Sequence, residues 1–85
     1  MSGAGEVDRA PLRNHFIAII GGDAKLLPAD SESLVDEGIL DSFGLAELVA
    51  LIERSYGVKV PDADLALANF ESIDKIAAWI VAARR

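Results

Sequence analysis

Leu45, Leu48, Val49, Ile52 and Tyr56 recur at the spacing of one helix face. At about 100° per residue they fall within ~60° of a single line, which predicts an amphipathic helix with this stripe on the core. The helix starts near Asp41-Ser42, because Asp and Ser are preferred caps, and Gly57 stops it. One such helix cannot bury its own stripe, and the rest of the chain supplies partners. Leu12, Phe16, Ile19 and Ile20 form a second stripe, with Asp8 as N-cap, Pro11 in the first turn and Gly21-Gly22 as the stop. Ile73, Ile76, Ala77 and Ile80 form another on a last helix capped by Ser72. Trp79 lies ~110° off that stripe, half-buried on its flank, and Phe70 is a core anchor before it.

Two connections remain. Val58-Lys59-Val60-Pro61 is an extended link, since Pro61 fixes its own φ and restricts Val60. Asp62-Ala63-Asp64-Leu65 then reads as the start of a short third helix capped by Asp62. The loop from Asp23 to Asp41 is long, but Leu26, Leu27, Leu34, Val35, Ile39 and Leu40 give it apolar side chains to pack on the core. The predicted fold is all-α: a small four-helix bundle of three main helices plus a short third one, with a long ordered loop between the first and second.

Composition agrees with this fold. Eighty-five residues make one domain, divided here into a flexible lead over 1–6 and a folded unit over 7–85. Aromatics are 6%, so aliphatics and alanine fill the core. There is no cysteine, which excludes disulfides, thiolate metal sites and thiol catalysis, and a single histidine excludes a His-rich metal site. Net charge is −6, so nucleic acid is not an expected partner. Residues 30–41 hold Asp30, Glu32, Asp36, Glu37 and Asp41 without one base, whereas Lys75, Arg84 and Arg85 make the end basic. No apolar run approaches the ~20 residues of a membrane span, and Met1-Ser2-Gly3-Ala4-Gly5 lacks the features of a signal peptide. The expected compartment is the cytoplasm.

Enzyme readings find little support. A Ser-His-acid triad would need His15 beside Ser42, yet His15 sits on the flank of the first apolar stripe. Gly21-Gly22 lacks the Lys-Ser/Thr of a phosphate loop. The loop acids lack the ligand pattern of a calcium hand and read as a solvated acidic loop, with a weak divalent-ion site as the alternative. No catalytic or metal-ligating residue is assigned.

One constellation stands apart: Gly38-Ile39-Leu40-Asp41-Ser42-Phe43-Gly44. It sets a serine at the start of a helix, at the end of an acidic loop. A phosphate ester there would lie in the favourable field of the helix N-terminus. The plainer alternative is that Ser42 or Asp41 is only an N-cap. The side opposite the core stripe carries Phe43, Ala46, Glu47, Ala50 and Arg54. It is either a docking surface or a solvated face with one stray aromatic.

Residues 33–45, Ser-Leu-Val-Asp-Glu-Gly-Ile-Leu-Asp-Ser-Phe-Gly-Leu, resemble the attachment region of acyl and peptidyl carrier proteins. The resemblance continues through Tyr56-Gly57-Val58-Lys59-Val60-Pro61-Asp62 and Asn69-Phe70-Glu71-Ser72-Ile73, and covers roughly residues 10–83. It implies that Ser42 receives 4'-phosphopantetheine and that Asp41 assists the phosphopantetheinyl transferase. It implies further that Phe43 is read by partners, and that Glu47 and Glu53 match acidic positions of the recognition helix. The sequence departs from the family's commonest forms. Gly-Ile-Leu-Asp-Ser replaces the Gly-Gly-His/Asp-Ser of peptide synthetase domains, and Phe43 stands where fatty-acid carriers usually have Leu. Arg54 dilutes the acidity of the second helix. The pattern is closer to free-standing carriers that work with an adenylating ligase, including the D-alanyl carrier type.

The expected function is therefore a free-standing, monomeric acyl or aminoacyl carrier, not an enzyme. An adenylating ligase or acyltransferase would load its arm as a thioester. Condensing, tailoring or transfer enzymes of biosynthesis, secondary metabolism among them, would take the cargo. The working thiol would belong to the cofactor, in keeping with a chain that has no cysteine. The alternative is a small helical adaptor without phosphopantetheine that binds a partner through the Phe43 face.

Overall fold

Three helices form where the stripes and caps place them: α1 over Ala10–Ile19, α2 over Ser42–Tyr56 and α3 over Ile73–Ala83. The computed structural model describes residues 7–84, and the lead expected at 1–6 lies outside the described residues. Asp8 Oδ1 accepts the Ala10 N–H at 3.0 Å, but the cap position of α1 belongs to Arg9, whose side chain caps nothing. Asp8 thus acts one residue earlier than expected. α1 ends as its sequence implies, with the Gly22 N–H donating to Ile17 O at 2.8 Å. At the end of α2, Gly57 takes φ 70° and donates its N–H to Glu53 O at 3.1 Å. A β-carbon there would meet the left-handed penalty of about 1–2 kcal/mol. Ser72 Oγ caps α3 by accepting the Lys75 N–H at 3.1 Å.

The short third helix takes the form of two single 3-10 turns, Asp62–Asp64 and Leu67–Asn69. Pro61, not Asp62, holds the cap position of the first. Between them Ala66 is extended, at φ −140° and ψ 137°. The cause is missing burial. Leu65 stays 42% exposed and only Leu67 packs against the core, too little to hold a continuous helix.

The core gathers Leu12 and Phe16 from α1, Leu48, Leu51, Ile52 and Tyr56 from α2, and Ile73, Ile76 and Ile80 from α3. Leu34, Leu40, Val60 and Phe70 join from the connections. The α2 stripe is turned slightly from its expected line: Leu51 is buried, while Leu45 and Val49 are half-buried. Ile19, expected in the α1 stripe, is 45% exposed, because the buried line of α1 runs through Leu12 and Phe16 alone. Phe70 is fully buried beside half-buried Trp79, ring centroids 5.6 Å apart, and the indole N–H donates to Asp64 Oδ2 at 3.0 Å.

The long loop is held to the start of α3. The Leu34 N–H donates to Glu71 O at 2.6 Å and the Asp74 N–H to Asp30 O at 3.0 Å. Leu34 O in turn accepts the N–H groups of Ile39 and Leu40. Gly38, at φ 75°, makes the turn that brings Leu40 back into the core. Asp30 is not a solvated loop acid. Its carboxylate pairs with Arg9 at 2.8 Å and Arg13 at 2.5 Å, and Arg9 reaches Asp74 at 2.6 Å. Hydrogen bonding from Arg13, and then from Arg9, holds the Asp30 carboxyl below the usual aspartate range.

Candidate functional site

Buried Leu40 fixes where the loop ends, and Asp41 follows in extended conformation at the head of α2. Asp41 Oδ1 accepts the Gly44 N–H at 2.8 Å. This decides between the two possible caps: Asp41 is the cap, and Ser42 is the first helical residue. The Ser42 side chain is exposed and the cap does not use its hydroxyl. The N–H groups of the first turn stand near it, and their dipoles favour an anion such as a phosphate ester. A phosphate on Ser42 Oγ therefore meets an accessible hydroxyl, a suitable field and no competing hydrogen bond from capping.

Phe43, the next residue, is 87% exposed. Ala46, Glu47, Ala50 and Arg54 are exposed as well, so these five residues make one solvent-facing strip running from Ser42 along α2. Glu53 does not join it. It is half-buried, and its Oε2 accepts the Val60 N–H at 3.1 Å, which ties α2 to the link after it.

His15 lies half-buried on α1, and its Nε2 has no hydrogen-bond partner among the described residues, so no Ser42–His15 pair forms through that atom. Among the described residues no three His, Asp or Glu side chains converge as a metal site would require. Among them too, no helix is long and apolar enough to cross a membrane. A groove of about 340 Å³ lies between the link and α3, lined by Lys59, Pro61, Asp64, Trp79, Ala82 and Ala83. It contains none of the residues at the head of α2. Sequence reasoning missed the Arg9–Asp30–Arg13 cluster that anchors the loop, since pairing across 17 and 21 positions leaves no local pattern.

A small all-α bundle with a long loop before its second helix is the architecture of acyl-carrier-like proteins. The chain belongs to the phosphopantetheine attachment site family, whose model matches residues 11–80. It is similar to the D-alanyl carrier proteins of three Streptococcus pyogenes lines: serotype M5 (strain Manfredo), serotype M49 (strain NZ131) and serotype M1. Each match is 36% identical over 45 residues, covering 53% of this chain and 57% of the relative. The chain thus spans little more than half the length of the relatives it matches. Proteins of this family are phosphopantetheine-bearing carriers, not enzymes.

Proposed function

We propose that this protein carries acyl or aminoacyl groups on a 4'-phosphopantetheine arm attached to Ser42. The observation that carries the reading is the cap: Asp41 takes the Gly44 N–H, which leaves the exposed Ser42 hydroxyl free at the head of α2. A phosphopantetheinyl transferase moves the group from coenzyme A to Ser42 Oγ: the hydroxyl oxygen attacks the phosphate that bears the pantetheine, the pyrophosphate bond of coenzyme A breaks, adenosine 3',5'-bisphosphate leaves, and the hydroxyl proton passes to the transferase. Asp41 assists from the neighbouring position, where its second carboxylate oxygen remains open to the donor complex. Once attached, the arm supplies a terminal thiol that holds cargo as a thioester.

Phe43, Ala46, Glu47, Ala50 and Arg54 form the docking strip. An adenylating ligase or acyltransferase loads the arm there, and downstream condensing, tailoring or transfer enzymes receive the cargo. Glu47 and the acidic loop steer basic partner surfaces, and Phe43 supplies the apolar contact. The strip is small, which suits partners that must let go after each transfer. The protein works as a monomer in the cytoplasm in this reading. Similarity to D-alanyl carrier proteins supports an aminoacyl cargo.

The test is an intact-protein mass spectrum after incubation with coenzyme A, magnesium and a broad-specificity phosphopantetheinyl transferase. One phosphopantetheinyl group should be gained. An unmodified chain would instead leave the adaptor reading, in which the Phe43 face binds without an arm.

A further inference from the structure

His15 is the chain's single histidine, and the carrier reading gives it no task. Its ring meets Phe16 edge-on, with centroids 5.1 Å apart and planes at 76°. Phe16 is fully buried, so the imidazole stands at the margin of the core, on the helix that packs on α2. Nε2 is buried and has no hydrogen-bond partner among the described residues. The charged groups that bear on the ring both come from α2: Glu47, which favours the protonated form, and Arg54, which opposes it.

A neutral imidazole with its proton on Nδ1 presents only a lone pair at Nε2. Protonation puts a charged N–H there instead. A charged donor without an acceptor is costly to bury. Glu47 cannot fully compensate, because Arg54 acts against it and burial is the largest influence of the three. The cation therefore has one inexpensive response, which is to let water reach Nε2.

We propose that His15 is a pH-sensitive contact between α1 and α2: neutral, it lets the two helices close over Nε2, and protonated, it loosens them. The proposal does not rest on the carrier reading. Burial holds the imidazole below its ordinary value of 6.5 in the folded chain. As pH falls, the unfolded chain takes up the proton first. The stabilising effect of the neutral contact is complete above about pH 6.5 and is lost as pH falls toward the lower folded-state value.

The experiment follows thermal unfolding from about pH 7.5 to about pH 5, above the main carboxylate range, at constant ionic strength. It compares the wild type with His15→Gln and His15→Leu, and records the wild-type imidazole by NMR over the same range. The wild-type melting temperature should fall on the order of 4–8 °C, and a variant without the titrating ring should stay nearly flat. The imidazole midpoint should lie below ~6.5, with amide signals of α1 and α2 shifting alongside it. A midpoint at or above that value, or an equal fall in the variants, overturns the proposal. If one variant does not fold, the other and the wild-type titration still decide it.

Discussion

At the start of α3, Ser72 is 5% exposed, and its Oγ accepts the Lys75 N–H. At the start of α2 that bond is made by Asp41, and Ser42 stands one position further on, exposed. The residue before Ser72 is also acidic. Yet Glu71, one methylene longer than Asp, does not cap; its Oε1 pairs with Lys75 Nζ at 2.5 Å. The residues that follow diverge in the same way. Ile73 is 1% exposed and Phe43 is 87% exposed. Two acid-serine-apolar triplets thus open two helices, but one is consumed by the fold and the other is left exposed to solvent. The short acid is what separates them, because it takes the capping duty that the serine would otherwise perform.

The largest expected effect concerns the apolar residue after each serine. Ile73→Ala should cost about 2–5 kcal/mol of stability, as for a fully buried side chain. Phe43→Ala should stay within about 0.5 kcal/mol and yet slow ligase loading by on the order of 10-fold or more, as for an aromatic docking anchor. Chemical denaturation and loading rates against carrier concentration measure the two. If Phe43→Ala loads normally, the strip on α2 is not the docking surface.

The capping residues come next. Ser72→Ala and Asp41→Ala should each cost about 1 kcal/mol. Ser42→Ala should cost less than either, because Ser42 caps nothing. Unfolding curves for the three single variants check the order. Equal losses for Ser42→Ala and Asp41→Ala would mean that the two residues share the cap.

A smaller effect comes with acid. The loop is bound to the start of α3 through Asp30, whose backbone O accepts the Asp74 N–H and whose carboxylate faces Arg9 and Arg13, while among the described residues the head of α2 has no such ion pair. The Asp30 carboxyl is held below the ordinary aspartate value of 3.8. Its contribution is therefore complete above that value and is lost as pH falls through the lower folded-state value. The pairs are partly exposed, so solvent screens them and the loss is modest. Melts between about pH 5 and about pH 2.5, around the carboxylate range, should show a decline that Asp30→Asn reduces. Unaltered acid sensitivity in that variant would show that the Asp30 pairs do not contribute to it.

The parts legible in the sequence are those fixed by neighbours along the chain. Asp41, Gly57 and Ser72 mark helix ends because capping is local chemistry, and all three stand at those ends. Leu48, Ile52 and Tyr56 were legible because a 3.6-residue period fixes a face. Leu51 was not, since it lies off the line through Leu45, Val49 and Tyr56, and the bundle leaves Leu45 and Val49 half-buried. The extended break at Ala66 depends on how little of Leu65 the core covers, which no period reports. At the candidate site, Ser42 and Asp41 were legible as a pair, but the division of labour between them required the Asp41–Gly44 geometry. The resemblance set Glu53 beside Glu47 as an acidic position of the recognition helix, but its bond to the Val60 N–H draws it toward the link.

On the proposed reading, only the serine relieved of capping carries the arm. The most direct measurement is an intact mass spectrum of three proteins after the same treatment with coenzyme A and transferase: wild type, Ser42→Ala and Ser72→Ala. The wild type and Ser72→Ala should each gain one phosphopantetheinyl group, and Ser42→Ala should gain none while melting as the wild type does. A modified Ser42→Ala chain, or a folded wild type that stays unmodified, would contradict it.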